Sequence, residues 1–165
     1  MSLVNDDHEE FRNAVRRFTQ EEIEPIASEL DAKNAEIPTE IIQKMAEQGY
    51  FGIVFPEEYD GLGLDNITMA IVAEELSKGW LSVGSVMTRG VIMGTLLMAH
   101  GTEDQKKKYL PGLATGQILP AAAFTEPDSG SDSASMRLKA TKTDGGYLLN
   151  GAKAWCTFAN RSNCL

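Results

Sequence analysis

The stretch TEDQKKKYLPGLATGQILPAAAF, residues 102–124, contains the point at which the chain changes its period. Thr102 followed three residues later by Gln105 is a capping box, so a helix opens there and runs through Lys106 to Leu110 before Pro111 and Gly112 disturb it. Six residues later Ile118 to Phe124 is a short apolar run of strand length. Residues before this point carry helical spacing, and residues beyond it carry the alternation and turn chemistry of a sheet.

Outward toward the amino terminus, Phe11, Val15, Phe18, Ile23 and Ile26 form the stripe of an amphipathic helix from Asp7 to about Leu30, bent or ended at Pro25. A short helix is announced by Pro38 at a first-turn position, with Ile41, Ile42 and Met45 on one side and Gly49 as its stop. Tyr50 to Leu64 carries Gly52, Pro56, Gly61 and Gly63 and reads as a loop, after which Asp65 or Asn66 caps a helix ending near Gly79. Ser82 can cap the next helix. It is apolar almost all round through Val83, Val86, Met87, Val91, Ile92, Met93, Leu96, Leu97 and Met98, which predicts the middle of a bundle. Outward toward the carboxyl terminus, Arg137 to Thr143 alternates as a strand, and Asp144, Gly145 and Gly146 make a tight turn into Tyr147, Leu148 and Leu149. Asn150-Gly151 turns again, and Ala154 to Phe158 is expected to continue the sheet. The fold expected is mainly α: an up-and-down helical bundle over residues 1–116, then an incomplete antiparallel β domain over 117–165, its open edges suggesting that more chain is needed to finish it.

With 165 residues, 42% apolar and 24% charged, the chain fits one ordinary globular domain or one domain plus a piece of another. No run approaches the roughly 20 consecutive apolar residues of a membrane helix, and the acidic stretch Met1 to Glu10 does not read as a signal peptide. A net charge of −9 has the wrong sign for neutralising a nucleic-acid backbone. Cys156 and Cys164 lack C-x-x-C spacing, against a zinc site or disulfide framework and in favour of a reducing intracellular setting. His8, His100 and the pair Glu74-Glu75 read as helix-surface or helix-end residues rather than ligands. Lys106 to Lys108 read as a solvated helix end, and Gly61-Leu62-Gly63 lacks the strand and third glycine of a dinucleotide fingerprint. Arg89 interrupts the most apolar helix and should therefore meet an anion, either a protein carboxylate or an acidic group on a substrate.

The loop Thr125-Glu126-Pro127-Asp128-Ser129-Gly130-Ser131-Asp132 is dense in hydroxyls, carboxylates and residues that present free amides. By composition it is either a polar surface turn or a cradle for phosphates or a flavin edge. The words FTEPDSGSD (124–132) and LNGAKAW (149–155), with GYFGIVFPEEYDGLGLD, EELSKG and GTEDQKKKYLPGLATGQI upstream in the same order, resemble the acyl-CoA dehydrogenases over essentially the whole chain. That resemblance implies FAD held between a middle β domain and a carboxy-terminal helical domain. It implies that Ala122, Ala123, Phe124, Thr125, Gly130 and Ser131 line the flavin, Thr125 at the pyrimidine side of the ring system and Ser131 at the pyrophosphate or the acyl-CoA. Trp155, Cys156 and Thr157 match a Trp-aliphatic-Thr element in which the Trp stacks near the flavin and the Thr hydroxyl approaches its reactive nitrogen; Cys156 and Phe158 depart from the usual residues there. It further implies an acyl-CoA substrate bound in part by Ser131, and electron-transfer flavoprotein as electron acceptor; Arg89, from its place on the apolar helix, is the further candidate for binding an acidic group of that substrate. A homo-oligomer, dimer or tetramer, is expected, located in the cytoplasm or, in a eukaryote, the mitochondrial matrix. The family's catalytic glutamate is not expected within these residues, so the chain alone is expected to be inactive. The rival expectation is a non-catalytic helical module for association or acyl-chain binding.

Overall fold

The computed structural model describes residues 3–165, which divide into a unit ending at Leu119 and a unit of Pro120–Leu165. The first is helical. It contains α1 (Asp6–Phe18), α2 (Glu24–Ala32), α3 (Thr39–Glu47), α4 (Asn66–Gly79), α5 (Leu81–His100) and α6 (Glu103–Ala114). The second carries an antiparallel hairpin of β1 (Lys139–Thr143) and β2 (Gly146–Asn150). The chain is thus mainly α, with a small antiparallel sheet after the helices.

The helix starts follow local chemistry. At α1 the Asn5 side chain accepts from the His8 amide at 2.9 Å while His8 Nδ1 accepts from the Asn5 amide at 3.2 Å, which leaves the ring proton on Nε2. That nitrogen reaches the Asp65 carboxylate at 3.1 Å, and Asp65 in turn caps α4 by accepting from the Thr68 amide at 2.8 Å. His8 is therefore a buried tie between two helix starts, the helix-end rather than the helix-surface alternative. The Thr102–Gln105 capping box forms as its sequence predicts.

Pro25 does not end the first helix. A π-helical turn, Thr19–Ile23, precedes it, and Pro25 takes the first turn of α2, where its missing N–H is least needed. Pro38 stands at the cap of α3 rather than inside its first turn. Ser82 lies inside α5, which starts at Leu81 after Trp80. Nor does Pro111 stop α6, which continues to Ala114. A proline inside a helix costs about 3 kcal/mol. Fully buried Leu110 and Leu113 offset this, at about 1.5 to 3 kcal/mol for each leucine taken from water. The run Lys106 to Lys108 consequently lies in the body of α6, where Lys106 pairs with Glu103 at 3.0 Å.

The loop between Tyr50 and Leu64 contributes to the core. Phe51, Ile53 and Phe55 are almost wholly buried, and Phe55 and Tyr59 cluster with Leu110, Leu113 and Ala114. Loop-to-loop bonds close the segment, Leu62 N to Gly52 O and Gly63 N to Phe55 O, both 2.8 Å. The first half of α5 is central through Val83, Val86 and Met87, and in its second half Met93 and Leu97 pack against the Phe55 cluster. Its second half exposes Ile92, Leu96 and Met98, so the all-round apolar pattern overstated its burial. By length and mean hydropathy α5 is long and apolar enough to cross a membrane, although Ser82, Ser85, Thr88 and Arg89 keep its apolar residues from forming one continuous run. Glu75 is another departure from expectation: it is 2% exposed and accepts hydrogen bonds from Arg12, Arg16 and Lys78 at 2.9 to 3.0 Å. This carboxylate staples α1 to α4.

Candidate functional site

The polar loop after the helices is built from a turn whose two ends exchange both backbone bonds, Glu126 N to Ser129 O at 2.8 Å and Ser129 N to Glu126 O at 3.2 Å. Pro127 at the second position presets the backbone for it. The Ser129 hydroxyl then donates to the Asp132 carbonyl at 2.6 Å, fixing the chain beyond the turn. The Glu126 side chain is 7% exposed and faces inward. Its Oε2 accepts from the Arg137 amide at 2.7 Å, and its Oε1 accepts from the Leu138 amide at 2.9 Å and from Lys153 Nζ at 3.0 Å. The two amides first, and Lys153 after them, hold the Glu126 carboxyl down at about 2. It is ionised throughout the physiological range.

Lys153 uses the same ammonium to donate to the Phe124 carbonyl at 2.8 Å and to approach Met136 Sδ at 3.2 Å. One residue on, the Ala154 amide donates to the Thr125 carbonyl at 2.8 Å. Phe124 and Thr125 are thereby set beside the segment of Trp155, Cys156 and Thr157, although about thirty residues separate them in sequence. Ala122 and Ala123 are half-buried just before them. Gly130 and Ser131 are exposed beyond the turn, and the bonds that join the two segments do not involve them.

Two of the expected strands are absent. Ile118 to Phe124 is irregular, with one bridge from Pro120 to Cys164, and Ala154 to Cys156 is irregular before a turn that starts at Thr157, with Trp155 and Phe158 at left-handed backbone angles, φ 56° and 69°. A strand cannot pass through residues with positive φ. The expected hairpin does form: Thr143 pairs with Gly146 across a two-residue turn at Asp144-Gly145, and Gly145 supplies φ 89°.

Trp155 is 89% exposed and Phe124 50% exposed. A side chain added at Gly130 would meet nothing within 4 Å. A large apolar ring held in water by an uncommon backbone angle, beside a hydroxyl-bearing loop, fits a flat heteroaromatic group with a polar edge and an anionic tail. These residues fit FAD on that ground. Arg89 belongs to the helical unit, where it is half-buried on α5 and its Nη2 donates to the Ser85 hydroxyl at 2.7 Å. No group of three or more metal-ligating side chains is found among the described residues.

Sequence reasoning missed Glu126 and Lys153 as structural partners. Both lie inside the two family-like words FTEPDSGSD and LNGAKAW, yet 27 positions apart, and no local period links them.

The family profile described as "Acyl-CoA dehydrogenase, N-terminal domain" matches residues 5–117. The chain is 42% identical to (2S)-methylsuccinyl-CoA dehydrogenase of Cereibacter sphaeroides over 99% of its own length and 30% of that protein's. It is 42% identical to the mitochondrial isovaleryl-CoA dehydrogenase of Oryza sativa subsp. japonica, over 94% of its length and 38% of the relative's. Among solved structures it is similar to a glutaryl-CoA dehydrogenase of Mycobacterium smegmatis in complex with FADH2, with a TM-score of 0.88 and 28% identity over 97% of this chain and 41% of that one. The chain thus spans well under half the length of these relatives.

Proposed function

Since the chain belongs to the acyl-CoA dehydrogenase family, we propose that it serves a flavin-dependent desaturation of an acyl-CoA thioester between its α and β carbons. In this reading residues 1–116 are the amino-terminal helical domain, and residues 117–165 contribute one wall of an FAD site in a longer protein. FAD supplies, when bound, an acceptor for the hydride that leaves the β carbon. The observation that carries the reading is the 2.8 Å bond from the Ala154 amide to the Thr125 carbonyl, which sets the loop's hydroxyl-bearing residues beside Trp155 and Thr157.

Within that wall Thr125 would hold the polar edge of the ring system, Ala122, Ala123 and Phe124 would line it, and Trp155 would stack near it. Cys156 and Thr157 would belong to the flavin-holding segment with Trp155, while Gly130 would leave room for the phosphates and Ser131 would bond to them or to the acyl-CoA. Arg89 is assigned to an acidic group on the acyl-CoA. Its half-buried position on α5 supports that role, because a guanidinium in such a place forms strong bonds to an anion. The base for the α proton is assigned to a part of the protein outside these residues, so the 165-residue chain by itself binds FAD weakly and does not turn over. Electron-transfer flavoprotein would be the electron acceptor of the whole protein, which is assigned as a homo-oligomer.

Titration of the full-length protein with FAD, followed by visible absorbance and by turnover of acyl-CoA with an artificial acceptor, tests this reading. Thr125→Ala and Trp155→Ala are expected to weaken FAD by about tenfold or more each, the scale of one hydrogen bond or one stacked ring in a closed site. Unchanged FAD affinity in both variants would refute the placement of the site. A full-length protein with no affinity for FAD would instead indicate a non-catalytic helical module.

A further inference from the structure

The unit Pro120–Leu165 has almost no apolar core. Among its described residues only Pro120, Ala121, Glu126 and Ser129 are buried, and every residue of β1 and β2 is exposed. No large side chain is available to set the distance between the loop at 124–131 and the segment at 153–157 by packing. Glu126 and Lys153 take that place. Each Glu126 oxygen is used, and each of the three ammonium protons of Lys153 has an acceptor, in Glu126, the Phe124 carbonyl and Met136 Sδ.

We infer that Glu126 and Lys153 are the positioning pair of this wall, holding Thr125 beside Trp155–Thr157. The inference rests on the flavin reading of those segments. A buried ion pair is poor evidence of stability, because well-packed apolar residues often do as well. What a paired carboxylate and ammonium provide here is direction. Two amides and a carbonyl are oriented from three separate stretches, 124–126, 136–138 and 153–154, and a methyl group could orient none of them. Depression of the Glu126 pKa, caused chiefly by the Arg137 and Leu138 amides, supports the same view, since the carboxylate keeps these bonds to low pH.

Site-resolved amide exchange on the full chain tests the pair without any cofactor. Glu126→Gln and Lys153→Met are expected to raise the exchange rate of the Ala154 amide by about tenfold or more relative to wild type, as loss of one closed local structure does. Glu126→Gln, which keeps one accepting oxygen in place of two, should also release one of the Arg137 and Leu138 amides, and Lys153→Arg, which keeps the cation, should retain much of the Ala154 protection. Amides of α5 such as Val86 and Met87 should be unchanged in all three, which separates a local effect from unfolding. If Ala154 exchanges at the wild-type rate in both Glu126→Gln and Lys153→Met, the pair does not position this segment and the inference is overturned. Titration of the full-length protein with FAD, followed by visible absorbance, gives the second readout. Binding by wild type at concentrations where Lys153→Met shows none supports the pair, and equal binding in both overturns it. Loss of Ala154 protection in the variants, with FAD ignored by the full-length wild type and variants alike, overturns the flavin reading, and with it the pair's role toward flavin.

Discussion

Glu75→Gln removes one negative charge and keeps the shape of a side chain that is 2% exposed. In wild type its Oε1 receives Arg12 Nη1 at 2.9 Å, Arg16 Nη2 at 3.0 Å and Lys78 Nζ at 3.0 Å, while Oε2 receives Arg16 Nε at 3.0 Å. Breaking a buried ion pair costs about 3 to 5 kcal/mol when the remaining charge is stranded. The cations are not stranded here. The side chains of Arg12, Arg16 and Lys78 are 16%, 43% and 51% exposed, so water takes over part of what Glu75 supplied. Glu74 also remains to bind Arg12 at 2.6 Å and Lys78 at 3.0 Å. With that screening the expected loss is about 2 kcal/mol. For a domain of this size it corresponds to a drop in melting temperature of roughly 6 to 8 °C.

Melting is followed by far-ultraviolet circular dichroism, which the six helices dominate, at several pH values. Burial pushes the Glu75 carboxyl up, but hydrogen bonds from Arg16, Lys78 and Arg12 together outweigh it and hold it at about 2, against an ordinary 4.5. A group whose pKa is depressed on folding contributes its full stability above the unfolded value. The gap between wild type and Glu75→Gln should therefore be widest above about pH 5 and close as the pH falls toward about 2. A variant that melts within about 1 °C of wild type at neutral pH, the range of an ordinary surface change, would refute the reasoning, as would a gap that widens on acidification.

Gly61→Ala should destabilise far more than Gly84→Ala, measured as melting temperatures. The new methyl at 61 falls 2.0 Å from the Phe55 carbonyl oxygen, which belongs to the backbone, whereas at 84 the first obstacle is the Ser77 hydroxyl at 2.1 Å, a side-chain tip that can rotate away. Asp65→Asn should melt closer to wild type than Asp65→Ala does, because asparagine still accepts from the Thr68 amide and alanine loses the α4 cap and the His8 contact together. Arg89→Met in the full-length protein should weaken acyl-CoA esters that carry a second acidic group by about 1.5 to 3 kcal/mol, and unchanged kinetics across substrates ends the substrate role. With Leu148 56% and Leu149 65% exposed on β2, the isolated chain should self-associate in sedimentation analysis, and a double Leu→Lys change at these positions should shift it toward monomer.

Much of this protein is written locally. The cap of α4 at Asp65, the capping box at Thr102 and Gln105 and the Asp144-Gly145 hairpin all depend on residues within one turn of each other, and each forms where its sequence places it. The order of motifs likewise suffices for the family, because it is a one-dimensional property. Where local rules failed, a distant partner had the larger energy. Pro111 should end α6, yet the burial of Leu110 and Leu113 carries the helix past it. Glu75 and His8 look like helix-surface or helix-end residues in a linear reading, and become interior ones because Arg12, Arg16 and Asp65 arrive from other helices to neutralise or bond them. Trp155 and Phe158 look like strand residues, but only their backbone angles reveal that the segment turns. The pairing of Glu126 with Lys153 is the clearest case. Their 27-residue separation carries no periodic signal, and only the folded chain brings the carboxylate and the ammonium to 3.0 Å, where their attraction can exceed the cost of leaving water.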